Sequence, residues 1–146
     1  MITIRKGTIN DLEQIAILFD EYRQFYAQKS DVEKGKAFLK DRITNNESII
    51  FVAEKDEQLI GFIQLYPTFS SVSLQPDIIM NDLYVFPKER KQGIGKALLD
   101  TAKQFVIDNG YKGIWIETAN DNPARFLYES LSWEKDVAFT NYYWQV

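Results

Sequence analysis

The chain has 146 residues, 45% of them hydrophobic, and this size and composition favour one folded domain spanning residues 1–146. It contains no cysteine and no histidine, which excludes a disulfide framework, a thiolate nucleophile, a Ser-His-Asp triad and a Cys/His zinc site; no metal is expected. Its 21 acidic and 17 basic residues give a formal net charge of −4, an unusual balance for a nucleic-acid-binding protein. Residues 1–10 lack the apolar stretch of a signal peptide, and no segment approaches the ~18 apolar residues of a membrane helix. We therefore expect a cytoplasmic protein without a nucleic-acid or membrane partner.

The first third of the chain predicts one strand and two helices. The strand covers Ile2 to Arg5, and a helix capped near Thr8 or Asn10 follows it. Asp31 is well placed to cap a second helix. The apolar face of the first helix recurs at helical spacing in Leu12, Ile15, Phe19, Tyr22 and Tyr26.

The middle of the chain predicts three strands. The apolar runs Ile49 to Ala53 and Leu59 to Tyr66 are separated by a polar turn, which is typical of a β-hairpin. We expect Pro67 to end the second of these strands and residues 70–77 to form a polar loop. Residues 67–71 are predicted to form a loop that can cover a pocket. A third strand is predicted from Ile78 to Phe86.

The last third predicts a long helix, a strand over Gly113 to Glu117, a short helix over Pro123 to Leu131 and a final aromatic strand over Val137 to Trp144. The complete order is β-α-α-β-β-β-α-β-α-β. This order predicts an α/β fold with a mixed sheet and at least one strand–helix–strand crossover.

The junction between the third predicted strand and the long helix carries two glycines, Gly93 and Gly95. Glycine permits positive φ and a close approach of ligand to main chain. The first N–H groups of a helix are unpaired and carry the positive end of its dipole. Arg90, Lys91 and Lys96 add positive charge in an acidic chain, so the turn predicts a phosphate site; a plain turn with solvated basic residues is the alternative.

Two common phosphate motifs do not fit this turn. A Walker A loop needs GxxxxGK[ST], but Ala97 follows Lys96, and Arg90 stands at the leading glycine position. A dinucleotide-binding turn needs a third glycine where Leu98 stands.

The segment RKQGIG resembles the R/Q-x-x-G-x-G/A signature of the GNAT superfamily of acyl-CoA N-acyltransferases, and NPARFLYESLSW resembles the last conserved helix of that family. The order of elements matches over nearly the whole chain. The resemblance implies the GNAT fold and an acetyl-CoA-dependent N-acetyltransferase, nearest in appearance to the polyamine and small-amine acetyltransferases.

The same resemblance implies roles for individual residues. Tyr128 matches the tyrosine that donates a proton to the departing CoA thiolate, and Leu83 and Val85 lie on the strand that pairs with pantetheine. Asn120 or Asn122 would contact the pantetheine arm, because Asp121 stands at the usual asparagine position. The CoA pyrophosphate would be held by the turn that Arg90 opens, comprising Lys91, Gln92, Gly93, Ile94, Gly95 and Lys96. The usual glycine after the last helix is Ser132, where we expect a local backbone adjustment.

Acetyl transfer to an amine also needs an acceptor for the amine proton. Without histidine, the candidates are Asp82, Glu117 or a water molecule held by them. Asp82 interrupts an apolar strand, where burial of a charge is costly, and Tyr84 points to the same side because strand side chains alternate. Diamine-type family members often have an acidic pair at positions 81 and 82. Since Asn81 breaks that pair, two roles stay open for Asp82, as the base or as an anchor for a cationic substrate; an exposed or salt-bridged aspartate is the alternative.

The acceptor side has four aromatic candidates, Tyr22, Tyr26, Tyr66 and Phe69, because aromatic faces attract ammonium groups. Asp82, Tyr84 and Glu117 are the other candidates there. Packing in the core is the alternative for the aromatic residues. We expect a small-molecule amine acceptor, such as a polyamine or an amino acid. A protein lysine as the acceptor, or a non-catalytic acyl-CoA-binding module, are the alternatives. The aromatic final strand also suggests a homodimer.

Overall fold

Five strands form one sheet in the order β1-β2-β3-β4-β5 in this computed structural model, which describes residues 1–146. The first four strands are antiparallel to their neighbours, and β5 is parallel to β4. The strands are β1 (Ile2–Lys6), β2 (Ile49–Lys55), β3 (Gln58–Ser70), β4 (Gln75–Val85) and β5 (Ile114–Ile116). The helices are α1 (Leu12–Phe25), α2 (Val32–Thr44), α3 (Ile94–Asp108) and α4 (Ala124–Ser130), with 3₁₀ turns at Ile9–Asp11 and Pro87–Glu89. None of the helices combines the length and apolar character that a bilayer crossing requires.

The predicted helix starts are confirmed by their hydrogen bonds. The Thr8 side chain accepts from the Asn10 N–H, and the Asp11 carboxylate accepts from the Thr8 N–H at 2.8 Å. The Asp31 carboxylate accepts from the Lys34 N–H at 3.0 Å and so caps α2. These caps satisfy helix N–H groups that lack partners within the helix.

Two apolar cores lie on opposite faces of the sheet. Helices α1 and α2 cover one face, where Leu18, Leu39 and Phe62 are fully buried. Helices α3 and α4 cover the other face, where Ile63 and Leu98 are fully buried. Phe62 and Ile63 are adjacent on β3 and serve opposite cores, because successive strand side chains point to opposite faces.

The β3–β4 hairpin is longer than predicted. Strand β3 continues through Pro67 to Ser70, which pairs with Gln75, so the predicted loop over residues 70–77 is wrong. The prediction that residues 67–71 form a loop covering a pocket is wrong for the same reason. Strand β2 begins at Ile49, which pairs with Leu65 of β3, so β2 does not reach Pro67. At Pro67, β3 therefore has β4 as its only neighbour. An edge position of this kind tolerates the missing N–H of proline.

The predicted last strand, Val137 to Trp144, is also wrong. Residues 134–146 form neither helix nor strand, and Phe139, Tyr142 and Trp144 are exposed. Aromatic residues favour strands only where a paired edge supports them, and the neighbouring β5 pairs over just Ile114–Ile116, with β4. The remaining order of elements agrees with the prediction.

Ser132 adopts the left-handed conformation, with φ of 64°, directly after α4. Its N–H donates to the Glu129 carbonyl at 3.2 Å, and the Trp133 N–H donates to the Tyr128 carbonyl at 3.1 Å. This is the Schellman pattern that usually places glycine at the serine position. Ser132 thus ends α4 with the same hydrogen bonds as a glycine would, but its backbone is strained.

Ser132→Gly should therefore raise the free energy of unfolding by about 0.5–1 kcal/mol, because glycine adopts positive φ without a steric penalty. Urea unfolding of both proteins measures the difference. Ser130→Gly, two residues earlier and inside α4, is the matched control and should lower stability. A Ser132→Gly protein less stable than the wild type would contradict this account.

Candidate active site

Strands β4 and β5 separate beyond Met80 and Ile116, their last paired residues. On its other side, β4 stays paired with β3, and the Phe86 N–H donates to the Ile60 carbonyl at 2.9 Å. Because antiparallel ladders alternate, the main-chain groups of Leu83 and Val85 point away from β3. The separation leaves a cleft of about 360 Å³, lined on one wall by this open edge of β4.

A β-bulge bends β4 at the start of this cleft. Gln64 faces Asp82 and Leu65 faces Met80, so Asn81 is the extra residue. The Asn81 carbonyl accepts a hydrogen bond of 3.0 Å from the Tyr22 hydroxyl. Bulges commonly redirect side chains beside functional sites, and here the bulge turns Asn81 and Asp82 towards α1.

The glycine turn at the mouth of the cleft holds a row of free main-chain donors. None of the N–H groups from Lys91 to Lys96 donates a hydrogen bond within the protein, and the first helical bond of α3 runs from Ala97 N–H to the Gly93 carbonyl. Gly93 has φ of 79°, which a residue with a Cβ adopts only with strain. Free amides at a helix N-terminus form an anion site, so the geometry supports the predicted phosphate contact.

The side chains of the turn are mostly engaged with the protein. Arg90 Nε donates to the Val85 carbonyl at 2.9 Å, and its guanidinium lies 5.4 Å from the centre of the Tyr84 ring. Lys96 pairs with Asp100. The Gln92 side chain donates to Glu89 and does not line the cleft, so only its main chain can take part.

Helix α4 brings Tyr128 into the cleft. Tyr128 is buried except for 9% of its surface, and its hydroxyl makes no hydrogen bond within the protein. Burial raises the pKa of Tyr128 to about 12, so the hydroxyl is protonated at neutral pH. It can therefore act as a proton donor to a group bound in the cleft.

Of the two asparagines predicted near the pantetheine arm, only Asn122 lines the cleft. Its Oδ1 accepts from the Ala124 N–H at 2.9 Å, and its Nδ2 lies 3.4 Å from the Tyr26 hydroxyl. Asn120 lies outside, where its carbonyl accepts from Arg125.

A second cavity, of about 430 Å³, lies between α1, α2 and β4. Tyr22, Tyr26 and Asn81 line both this acceptor cavity and the β4–β5 cleft, so the two spaces adjoin. Apart from these three, the acceptor cavity is lined by Phe19, Arg23, Gln28, Lys34, Gly35, Phe38, Tyr66 and Asp82.

Asp82 is the only carboxylate that lines the acceptor cavity. It is 2% exposed and accepts a hydrogen bond from Gln64 Nε2, so the exposed or salt-bridged alternative is wrong. Burial raises the pKa of Asp82 to about 6, although the neighbouring Gln64 amide and Tyr22 hydroxyl stabilise the carboxylate. The Gln64 Oε1 has no partner in this buried setting. The pKa of this buried carboxyl group therefore lies closer to neutral pH than that of an exposed aspartate, a feature that is common at functional sites.

The other predicted substrate residues line the β4–β5 cleft. The Tyr84 hydroxyl donates to Glu21 at 2.8 Å, and burial raises the pKa of Tyr84 to about 12. Glu117 is exposed and lines the cleft just beyond the end of β5, away from Asp82.

Sequence reasoning missed several wall residues. Phe25, Met80, Asn81, Thr118, Pro123, Ala124 and Leu127 line the cleft, and the acceptor cavity adds Arg23, Gln28, Lys34, Gly35 and Phe38. Their apolar members lie at helical or strand spacing and resemble core residues. Arg23 and Lys34 resemble ordinary solvated charges, so only the packing of α1 against α2 identifies them.

Comparison with known proteins agrees with this geometry. A model of the acetyltransferase (GNAT) family matches residues 12–133. An uncharacterized N-acetyltransferase, YhfO of Bacillus subtilis (strain 168), is 46% identical over 142 residues, covering 97% of this chain and 95% of that protein. A crystal structure of a probable acetyltransferase is 38% identical with a TM-score of 0.92, covering 99% of this chain and 97% of that one. A predicted acetyltransferase of Clostridium acetobutylicum, crystallised with acetyl-CoA, has a TM-score of 0.81 over 98% of this chain and 96% of that one; at 14% identity it shows the fold alone.

Asp82→Asn should raise the free energy of unfolding at pH 8 by on the order of 2 kcal/mol and change it little at pH 4. The folded-state pKa of about 6 lies above the ordinary 3.8, so the wild type loses stability as the pH rises from about 4 through 6. Asparagine cannot ionise and escapes that loss. Urea unfolding at both pH values measures the effect.

Asp41→Asn is the matched control, since Asp41 is exposed on α2, and it should change stability far less at pH 8. An Asp82→Asn effect of equal size at pH 4 and pH 8 would contradict the account of a buried ionised carboxylate.

Proposed function

The chain belongs to the acetyltransferase (GNAT) family, and from that membership we propose that it transfers the acetyl group of acetyl-CoA directly to the primary amine of a small cationic molecule. The observation that carries this proposal is the junction of the two cavities at Tyr22, Tyr26 and Asn81. One cavity offers free amides and a neutral tyrosine hydroxyl, and the other offers a buried carboxylate.

The β4–β5 cleft fits the cosubstrate of the family. The free N–H groups from Lys91 to Lys96 suit a diphosphate, and the open edge of β4 at Leu83 and Val85 suits the amide groups of a pantetheine arm. Asn122 lies on the same cleft and is the better placed of the two candidate asparagines. Acetyl-CoA would supply an activated thioester there.

Asp82 and Tyr128 are the proposed proton carriers. At neutral pH only about one alkylamine molecule in a thousand is unprotonated, because its pKa is near 10. Asp82 accepts the proton that the bound ammonium group loses before its nitrogen attacks the thioester carbonyl, and the second proton of that nitrogen leaves to solvent as the amide forms. Tyr128 donates its hydroxyl proton to the sulfur as the carbon–sulfur bond breaks. The proton balance is then restored by exchange with solvent.

The lining of the acceptor cavity fits small amines as a class. Its aromatic wall includes Tyr22, Tyr26 and Tyr66, whose faces attract an ammonium group, and Asp82 adds the opposite charge. A polyamine and an amino acid both carry such an amine.

We further propose that the protein acts in the cytoplasm as a homodimer. The exposed aromatic side chains of the C-terminal segment support the dimer, because exposed apolar patches often mark interaction surfaces.

Tyr128→Phe should lower kcat by about 10- to 100-fold while leaving the Kd for CoA within about twofold of the wild type. The variant keeps the ring in its packing against Trp133 and removes only the hydroxyl proton. Thiol release from acetyl-CoA, measured against a panel of polyamines and amino acids, gives kcat, and calorimetry gives the Kd.

Tyr142→Phe is the control, because Tyr142 is 94% exposed in the C-terminal segment. An unchanged rate in Tyr128→Phe would remove that residue from the mechanism. The absence of any heat on mixing the wild type with CoA would overturn the proposed function as a whole.

The value of kcat/KM for the acceptor should rise with pH through an apparent pKa near 6 and then level off up to pH 8, because only ionised Asp82 accepts a proton. Asp82→Asn should lose this rise and lower kcat about 100-fold. Initial rates between pH 5 and pH 8 at saturating acetyl-CoA measure both effects. The same rise in the asparagine variant would assign the titration to another group.

A further inference from the structure

The acceptor cavity holds two cations besides its one carboxylate. Arg23 on α1 and Lys34 on α2 line the same space as Asp82. The side chains that line this cavity therefore carry a positive formal net charge, although the whole chain carries a net charge of −4. A ligand that carries only ammonium groups does not match this wall.

No ion pair within the protein accounts for a lysine at position 34. Lys34 lies in the first turn of α2, where the positive end of the helix dipole disfavours a cation. It forms no ion pair, although acidic residues occur nearby in sequence. Lys34 is exposed and lines the cavity, so it can bind an anionic group at low desolvation cost.

Arg23 is incompletely satisfied by the protein. Its Nη1 lies 3.8 Å from Asp20, which is too long for a hydrogen bond, and that nitrogen is buried without a partner. Asp20 already accepts from the Ser30 hydroxyl and the Asp31 N–H, both at 2.7 Å. Arg23 therefore keeps donor capacity that its own neighbours do not use.

Asp82 and Lys34 differ in their exposure. Asp82 is 2% exposed on the bulged strand, whereas Lys34 is exposed on a helix across the cavity. An amine bound at Asp82 thus leaves the rest of the molecule facing the cations. A second ammonium would be repelled there, while a carboxylate or phosphate would be attracted.

We infer that the acceptor is a small amine that also carries an anionic group, as an amino acid or an aminoalkyl phosphate does, and that Lys34 and Arg23 bind that anion. This inference rests on the proposed function and narrows its substrate class. It disfavours the polyamines, which the family resemblance suggested.

The test compares matched acceptors that differ only in the anion. Each of several amino acids of increasing chain length, and one aminoalkyl phosphate, is paired with the plain amine that lacks its carboxylate or phosphate. The wild type should favour the anionic member by about tenfold or more in kcat/KM, which corresponds to one charged contact. The phosphate arm and the carboxylate arm then show which anion fits.

Variants of Lys34 assign the preference to this cavity. Lys34→Gln should reduce the anionic-to-plain ratio of kcat/KM about tenfold, mainly through KM, and Lys34→Glu should reverse it in favour of the plain amines. Lys29→Gln is the matched control, because Lys29 is exposed on the α1–α2 connection and does not line the cavity.

The outcomes separate this inference from the proposed function. Equal or better turnover of the plain amines, or a ratio that Lys34→Glu leaves unchanged, overturns the inference alone. If no acceptor of either kind releases thiol, the proposed function fails, and the inference fails with it. A wild-type preference for the anionic members that Lys34→Glu reverses supports both.

Discussion

The separation of β4 from β5 is the constraint on which the site depends. Main-chain N–H and C=O groups in a folded protein almost always find partners. Here the ladder between β4 and β5 stops at Met80 and Ile116, and the turn before α3 adds a run of amides without acceptors. A ligand that has an extended amide-bearing arm and a diphosphate can satisfy both sets of groups. In the proposed function, the main chain of the fold would therefore set most of the shape that the cosubstrate must have.

The bulge at Asn81 links this main-chain site to the side chains. The extra residue shifts the register of β4 against β3 by one, so that Gln64 pairs with Asp82 and the next residue, Leu65, pairs with Met80. The bulge leaves the Asn81 carbonyl within reach of Tyr22, which lines both cavities. It also holds Asp82 under cover, where burial makes it a stronger base than an exposed aspartate. One backbone irregularity thus lies where the two cavities of the proposed site adjoin.

The sequence predicts most of the fold because its signals are local. Caps such as Asp31 and the glycines at 93 and 95 act within a few residues of themselves, and the structure contains the predicted elements there. The prediction that Pro67 ends a strand is wrong because a strand tolerates proline where it lacks a neighbour, and this depends on how far β2 runs along β3. The strand predicted over residues 137–144 was wrong for a related reason, since a strand requires a partner edge that no local pattern reveals. The charges of Arg23 and Lys34 gain meaning only from the packing of α1 on α2.

Gly95 shows how closely the two ends of the cleft are coupled. A Cβ at this position would lie 3.3 Å from a methyl group of Leu127, the residue next to Tyr128. The absence of a side chain at Gly95 thus allows the first turn of α3, where the proposed diphosphate site lies, to approach α4, which carries Tyr128. A larger residue at position 95 would require the Leu127 side chain or α4 to move by a few tenths of an ångström, while every side chain of the proposed chemistry stayed the same.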